Sequence, residues 1–179
     1  MSAQYQVTLE WAAAGLRAAA ADVVVLADAD RGPETEELLR LAPRTALVLE
    51  ATLVNADRIA RAALDEQERR GERASIAIVA AGERWPDGSL RPTAADLLVA
   101  GRVVDELAEL GIDFHSPACA AACAAAVGLR GATNALVAAE ARGAGAASAP
   151  GSTPGPAHVT HHVPEHTPEH TPEHQGAAR

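Results

Sequence analysis

The chain has 179 residues with 24 acidic and 15 basic side chains, a formal net charge of −9. All the basic residues are arginine, which excludes a phosphate-loop lysine, a Schiff base or a lysine general base, and the acidic balance argues against nucleic-acid binding, which needs cations to displace counterions. Hydrophobic residues make up 48% but aromatics only 2%, so one domain with a core of Ala, Val, Leu and Ile is expected.

In chain order, residues 5–9 read as a first strand and 10–20 as a helix. Asp22–Asp28 is a short β-branched run ending in acids, a buried strand by length and residue type. Residues 34–42 form a helix with acids in its first turn, where the macrodipole favours them. A second buried strand covers 45–53. A helix follows over 55–71, with Asn55 to cap it, Gly71 to end it, and Ile59, Ala62 and Ala63 facing the core. Residues 74–82 are the third strong strand. The most regular helix spans 93–111: Thr93 is its cap, Asp96 stands three residues on, and Leu97, Leu98, Val104, Leu107 and Ala108 make one stripe. Ser116 and Pro117 open another helix over 116–128, and 129–143 is the last. Alternating strands and helices predict an α/β fold, a mostly parallel sheet with helices on both faces. Residues 144–179, rich in Pro, Gly, Ser and Thr with repeats of Pro-Glu-His-Thr, have little to bury and read as a disordered tail. The first residues lack a basic segment followed by an apolar core, and no apolar run is long enough to span a bilayer, so neither a signal peptide nor a membrane segment is expected. Cys119 and Cys123 read as reduced thiols, consistent with a cytoplasmic protein.

In a parallel sheet, ligands bind at the carboxyl ends of the strands. Glu83 and Asp96 fall on that edge, and a hard cation such as Mg²⁺ binds through one or two carboxylates, water and substrate phosphate. Arg84 and Arg91, in or beside the same loop, suit two-point pairing with phosphate or sulfonate oxygens. Capping by Asp96 and solvation of Glu83 are the plain alternative. Thr52 and the amides near Asn55 offer donors to an anion, or simply a helix cap. Asp28 and Asp30, following an apolar strand, suggest a haloacid-dehalogenase-type phosphatase, but such enzymes also need a lysine. His115, Cys119 and Cys123 sit at spacings of four and could hold Zn²⁺ only with a fourth ligand. The tail histidines His158, His161, His162, His166, His170 and His174 could chelate Ni²⁺ or Zn²⁺ loosely.

The stretch from Ile76 to Cys119, with Gly82-Glu83, a short loop and then Ala95-Asp96-Leu97-Leu98-Val99-Ala100-Gly101, resembles the 2-phosphosulfolactate phosphatases. The resemblance extends more thinly over 20–130, with 23–29 in the place of a Val-Ile-Asp-Val strand and 52–60 in that of a Thr-rich segment. It implies a Mg²⁺-dependent phosphomonoester hydrolase that converts 2-phospho-3-sulfolactate, or a related small anionic phosphoester, to sulfolactate and phosphate, a step toward coenzyme M. By the resemblance, Asp28, Glu83 and Asp96 are the catalytic acids around the metal, Thr52 and Asn55 contact the anion, and Arg84 is an oxyanion partner. The chain departs from the family where Asp28 is followed by Ala29-Asp30-Arg31, where the glycine-rich middle segment is missing, and where Ala95 replaces a glutamate. A non-catalytic relative that binds an anionic metabolite or a partner protein is the alternative. A homo-oligomer is left open.

Overall fold

The computed structural model describes residues 5–147. Four strands, β1 (Val7–Trp11), β2 (Val23–Ala27), β3 (Leu47–Ala51) and β4 (Ile76–Ala80), form a parallel sheet in the order β1-β4-β2-β3. The register is level: Val7 and Val23 both pair with Ile76, Val23 also with Leu47, and the strands finish together at Trp11, Ala80, Ala27 and Ala51. Whatever follows those four residues therefore lies along one edge. The expected α/β class, parallel sheet and two helical faces are all present. β2, β3 and β4 are shorter than expected, and β1 keeps the expected length but lies two residues further on, running to Trp11 instead of ending at Leu9.

Six helices surround the sheet: α1 (Ala12–Ala18), α2 (Pro33–Leu41), α3 (Ala56–Arg70), α4 (Ala94–Glu109), α5 (Pro117–Gly128) and α6 (Thr133–Ala147). The chain crosses the sheet one way from β1 to β2 to β3 and steps back from β3 to β4. Right-handed crossovers then put α1 and α2 on one face and α3 on the other. The packing agrees: Leu16 and Leu38 join Val24, Leu26 and Val79, whereas Ile59, Ala60 and Ala63 join Val23, Val25, Ile76 and Ile78. Val99, Val103, Val104 and Leu107 of α4, and Cys119 and Ala122 of α5, belong to the α3 side. Three expected core positions change: Ala62 and Leu97 are half-buried, with Ala60 buried instead in α3, and Ala108 is exposed while Val103 is buried. In α4 the cause is that the sheet, α3 and α5 enclose it on several sides.

With so few large side chains, the core gains density by close approach. Gly101 of α4 lies against the backbone of α5, so that a Cβ there would collide with the Ala122 carbonyl. The caps are those expected at Thr93, which accepts from the Asp96 amide, and at Ser116, which accepts from the Cys119 amide. Asn55 is the first residue of the α3 cap, but its side chain makes no capping bond. Its Oδ1 accepts from the Thr52 amide at 2.7 Å and its amide donates to the Glu50 carbonyl, bracing the preceding loop instead.

A small antiparallel hairpin, β5 (Glu83–Arg84) and β6 (Leu90–Arg91), was not expected from the sequence. It is too short to show an alternating pattern. The last helix begins at Thr133 and continues to Ala147, past the domain end expected at 143. The rest of the tail, residues 148–179, with its six histidines, lies outside the described residues. Among the described residues no single helix is long and apolar enough to cross a membrane, though the bent pair Pro117–Gly128 and Thr133–Gly143 would pass by length and composition alone.

Candidate functional site

After β2 the chain leaves toward α2 on one face; after the neighbouring β4 it leaves toward α4 on the other. Adjacent strands whose connections diverge open a crevice at their carboxyl ends, the usual ligand position in open α/β sheets. A cavity of about 340 Å³ lies there, lined by Asp28, Asp30, Glu34, Glu83, Arg84, Thr93, Asp96 and Glu140, among others. Asp28, Glu83 and Asp96, the three acids expected to share a site, do line one cavity. Arg84 joins them, whereas Arg91, Thr52 and Asn55 do not.

Each acid is already committed. The buried Asp28 carboxylate accepts from the amides of Asp30 and Arg31 on one oxygen, and from the Gly32 amide and the Thr35 hydroxyl on the other, at 2.6–2.9 Å. Its own loop curls around it, with Arg31 held at φ 54°, a left-handed conformation unusual for a residue with a Cβ. Asp96, 4% exposed, uses its two oxygens to accept from the amides of Ala29 (2.9 Å) and Gly82 (2.8 Å). One carboxylate thus ties the loop after β2 to the loop after β4. Burial pushes its pKa up to about 6, opposed by the bonds from Ala29 and Thr93, with the nearby Asp28 adding a smaller upward push. Glu83 pairs with Arg91, whose guanidinium lies 5.1 Å from the centre of the Trp85 ring. Arg84 pairs with Glu37 of α2 at 2.6 Å.

This donor set does not fit a divalent ion. A Mg²⁺ ion needs free carboxylate oxygens at octahedral positions. Each oxygen of Asp28 already accepts two donors, each oxygen of Asp96 accepts a backbone amide, Glu83 turns one oxygen to Arg91, and among the described residues no three acidic, His or Cys side chains gather as metal ligands. The expected metal set of Asp28, Glu83 and Asp96 is therefore present as neighbours but not as a coordination sphere. The haloacid-dehalogenase reading, in which Asp28 would be the nucleophile and Asp30 the acid/base, meets the same obstacle at Asp28, whose oxygens each accept two donors. His115, Cys119 and Cys123 are likewise separate: the His115 ring meets the Ile112 carbonyl, the Cys119 thiol points at the Val7 carbonyl, and Cys123 faces Asp105.

Thr52 and Asn55 line a second cavity of about 450 Å³ beside β3, together with Arg31, Glu50, Arg58 and apolar residues including Val48 and Ile59. Asp28 touches both cavities. The separation follows from strand order: β3 is the sheet edge, one strand removed from the crevice between β2 and β4.

Two contributors escaped the sequence reading. Thr35 holds Asp28, and Glu140 of α6 places its two oxygens on the amides of Ala94 (2.9 Å) and Ala95 (2.8 Å), the first turn of α4. Glu140 is separated from its partners by about 45 residues and carries no local motif, so only the folding of α6 back over α4 reveals it. Fold and site define an α/β protein with a largely acidic cavity at its switch point. No family model, curated protein or solved structure matches the chain.

Proposed function

We propose that the chain is a phosphomonoester hydrolase similar to the 2-phosphosulfolactate phosphatases, acting on 2-phospho-3-sulfolactate or a related small acidic phosphoester in the cavity between the ends of β2 and β4. The observation that carries this reading is the convergence of Asp28, Glu83 and Asp96, from three separate segments, on one cavity of about 340 Å³. In this reading Arg84 turns from Glu37 to the phosphoryl oxygens, where a guanidinium offers two parallel donors. Asp96 orients the loops on either side through Ala29 and Gly82, and Glu83 and Asp28 face the reacting centre. The described geometry is a resting form, because every one of these charged groups is paired within the chain. Mg²⁺ is part of the resemblance and enters no step here, since the donor set does not fit it.

A second reading has its own support: spent oxygens on Asp28 and Asp96 suit a non-catalytic relative in which the acids only hold loops together. The deciding assay measures phosphate release by the full chain from a panel of small phosphoesters, including 2-phospho-3-sulfolactate, with Mg²⁺ and with chelator. The hydrolase reading expects turnover that Glu83→Gln lowers at least ~100-fold, the scale of losing a positioned acid or base. Absence of release across the panel would hand the site to the second reading.

A further inference from the structure

The two edges of the sheet are finished differently. Along β1 the chain guards its own edge: the amides of Gln6 and Val7 donate to the Phe114 carbonyl, the Val7 carbonyl accepts from the Ser116 amide, and α5 packs alongside. β3, the opposite edge, has no such cover among the described residues. It also lacks the usual guards of an edge strand: its register with β2 runs unbroken, and Leu47–Ala51 contains no proline or lysine. Leu47, Val48 and Leu49 stay half-buried, although the neighbouring β2 is buried throughout.

Peptide planarity settles which groups face outward. The Leu47 amide donates to the Asp22 carbonyl and the Ala51 carbonyl accepts from the Asp28 amide. Leu47, Leu49 and Ala51 therefore turn to β2, while Ala46, Val48 and Glu50 turn away. Two groups of these outward residues are satisfied inside the chain: the Ala46 amide donates to the Pro43 carbonyl, and the Glu50 carbonyl accepts from the Asn55 side chain. The Ala46 carbonyl, both groups of Val48 and the Glu50 amide have no partner among the described residues.

We propose that β3 is the docking edge for a second copy of this chain, paired antiparallel about a two-fold axis at Val48 to give a continuous sheet of eight strands, four from each copy. In that register the two Val48 residues exchange both their bonds, and each Glu50 amide donates to the Ala46 carbonyl of the other copy. Every free group finds a partner, and the groups left facing each other, the Ala46 amide and the Glu50 carbonyl, are the two already satisfied. A slip of two residues either way sets a free group of Val48 against a spent one. Side chains match as well: Val48 meets Val48 on the α2 face, and Leu47 meets Leu49 on the α3 face. Charge favours the same direction. The approach to β3 is basic, with Arg40 and Arg44 exposed, whereas around its end Asp30, Glu50 and Asp57 outnumber Arg31 and Arg58. Antiparallel pairing lays the basic start of one copy beside the acidic end of the other, and the two-fold repeats the match. The edge is its own complement, which makes a second copy the occupant. It lies one strand away from the crevice between β2 and β4, so the pairing does not depend on the hydrolase reading.

The test measures the mass of the full chain by sedimentation equilibrium over a dilution series, with amide hydrogen exchange at the same concentrations. The expected result is a reversible species of twice 18.3 kDa, in which the Val48 and Glu50 amides exchange slowly and become fast on dilution. Val48→Pro removes the central donor and keeps every bond to β2, since an edge strand tolerates a proline whose missing N–H faces outward. It is expected to raise the dissociation constant at least ~10-fold, the scale of losing two symmetry-related hydrogen bonds. Val48→Lys sets like charges opposite each other at the axis and is expected to weaken the pairing too. Circular dichroism checks that both variants fold; should neither do so, exchange in the wild type decides alone. A single 18.3 kDa species at every concentration overturns the proposal. So does a dimer whose Val48 and Glu50 amides exchange freely, or one that folded Val48→Pro leaves intact, because another surface then joins the copies. Slow exchange at these two amides in a monomer overturns it as well, since a segment of the same chain then covers the edge.

Discussion

Helices α5 and α6 both pack on α4 and both are rich in alanine, yet they contribute very differently. α5 buries Cys119, Ala122 and Ala126, and it approaches α4 so closely that only a glycine fits at 101. α6 buries Thr133 and holds on by a carboxylate. Alanine content is high in both, though only α6 carries charged residues, Glu140 and Arg142; the larger difference is backbone approach. An alanine-rich helix stabilises its neighbour mainly when a small residue on the facing surface lets the two backbones come together, since each methyl alone covers little area. Where that fit is missing, a specific polar contact has to substitute, and such a contact is reversible.

Three substitutions break or sharpen this contrast. The largest effect is expected for Gly101→Val, which places side-chain atoms where the Ala122 carbonyl already sits. Overpacking of this kind costs about 1–3 kcal/mol or more, and because the clash is with backbone the upper end is expected, read as a drop in the urea midpoint. A variant with wild-type stability would mean that α5 is held less tightly than described.

Next comes Asp96, which fastens α4 to the sheet edge rather than to another helix. Its pKa is about 6 in the folded chain against 3.8 for an ordinary aspartate, so the native state holds the proton more firmly than the unfolded state. The stabilisation from this group is complete below pH ~4 and is lost as pH rises through about 6. The two-unit difference corresponds to roughly 3 kcal/mol as an upper scale. Urea unfolding at several pH values should therefore show wild-type stability falling relative to Asp96→Asn between pH 4 and 7. Parallel curves for the two proteins would remove Asp96 as the source. The smallest effect is expected on α6: Val137→Ala removes methyls from a half-exposed site and should cost less than ~1 kcal/mol in global stability, while hydrogen exchange in α6 alone rises. A larger global loss would show that α6 is part of the core after all.

Much of the fold was legible in the chain. Val23–Ala27 and Ile76–Ala80 are unbroken apolar runs of strand length, Gly71 ends α3 in the left-handed conformation at φ 69°, and Thr93 and Ser116 cap the helices that they precede. The site was only partly legible. Placing Asp28, Glu83 and Asp96 on one edge follows from strand direction, but the oxygens of Asp28 and Asp96 accept from amides of Ala29, Gly32 and Gly82, and backbone donors leave no mark in a sequence. The hairpin at Glu83–Arg84 and Leu90–Arg91 is likewise invisible, being two residues per strand.

The sequence by itself determined the class of fold, since period, β-branching and caps are local properties of the residues. It also determined which edge carries the acids, because in a parallel sheet every strand end faces the same way. Only the tertiary structure decided strand order, and with it that Thr52 and Asn55 open onto a different cavity from Glu83 and Asp96. It alone decided that Glu140 reaches α4. Those outcomes depend on which distant surfaces meet, and contacts across tens of residues are set by packing rather than by any neighbouring motif.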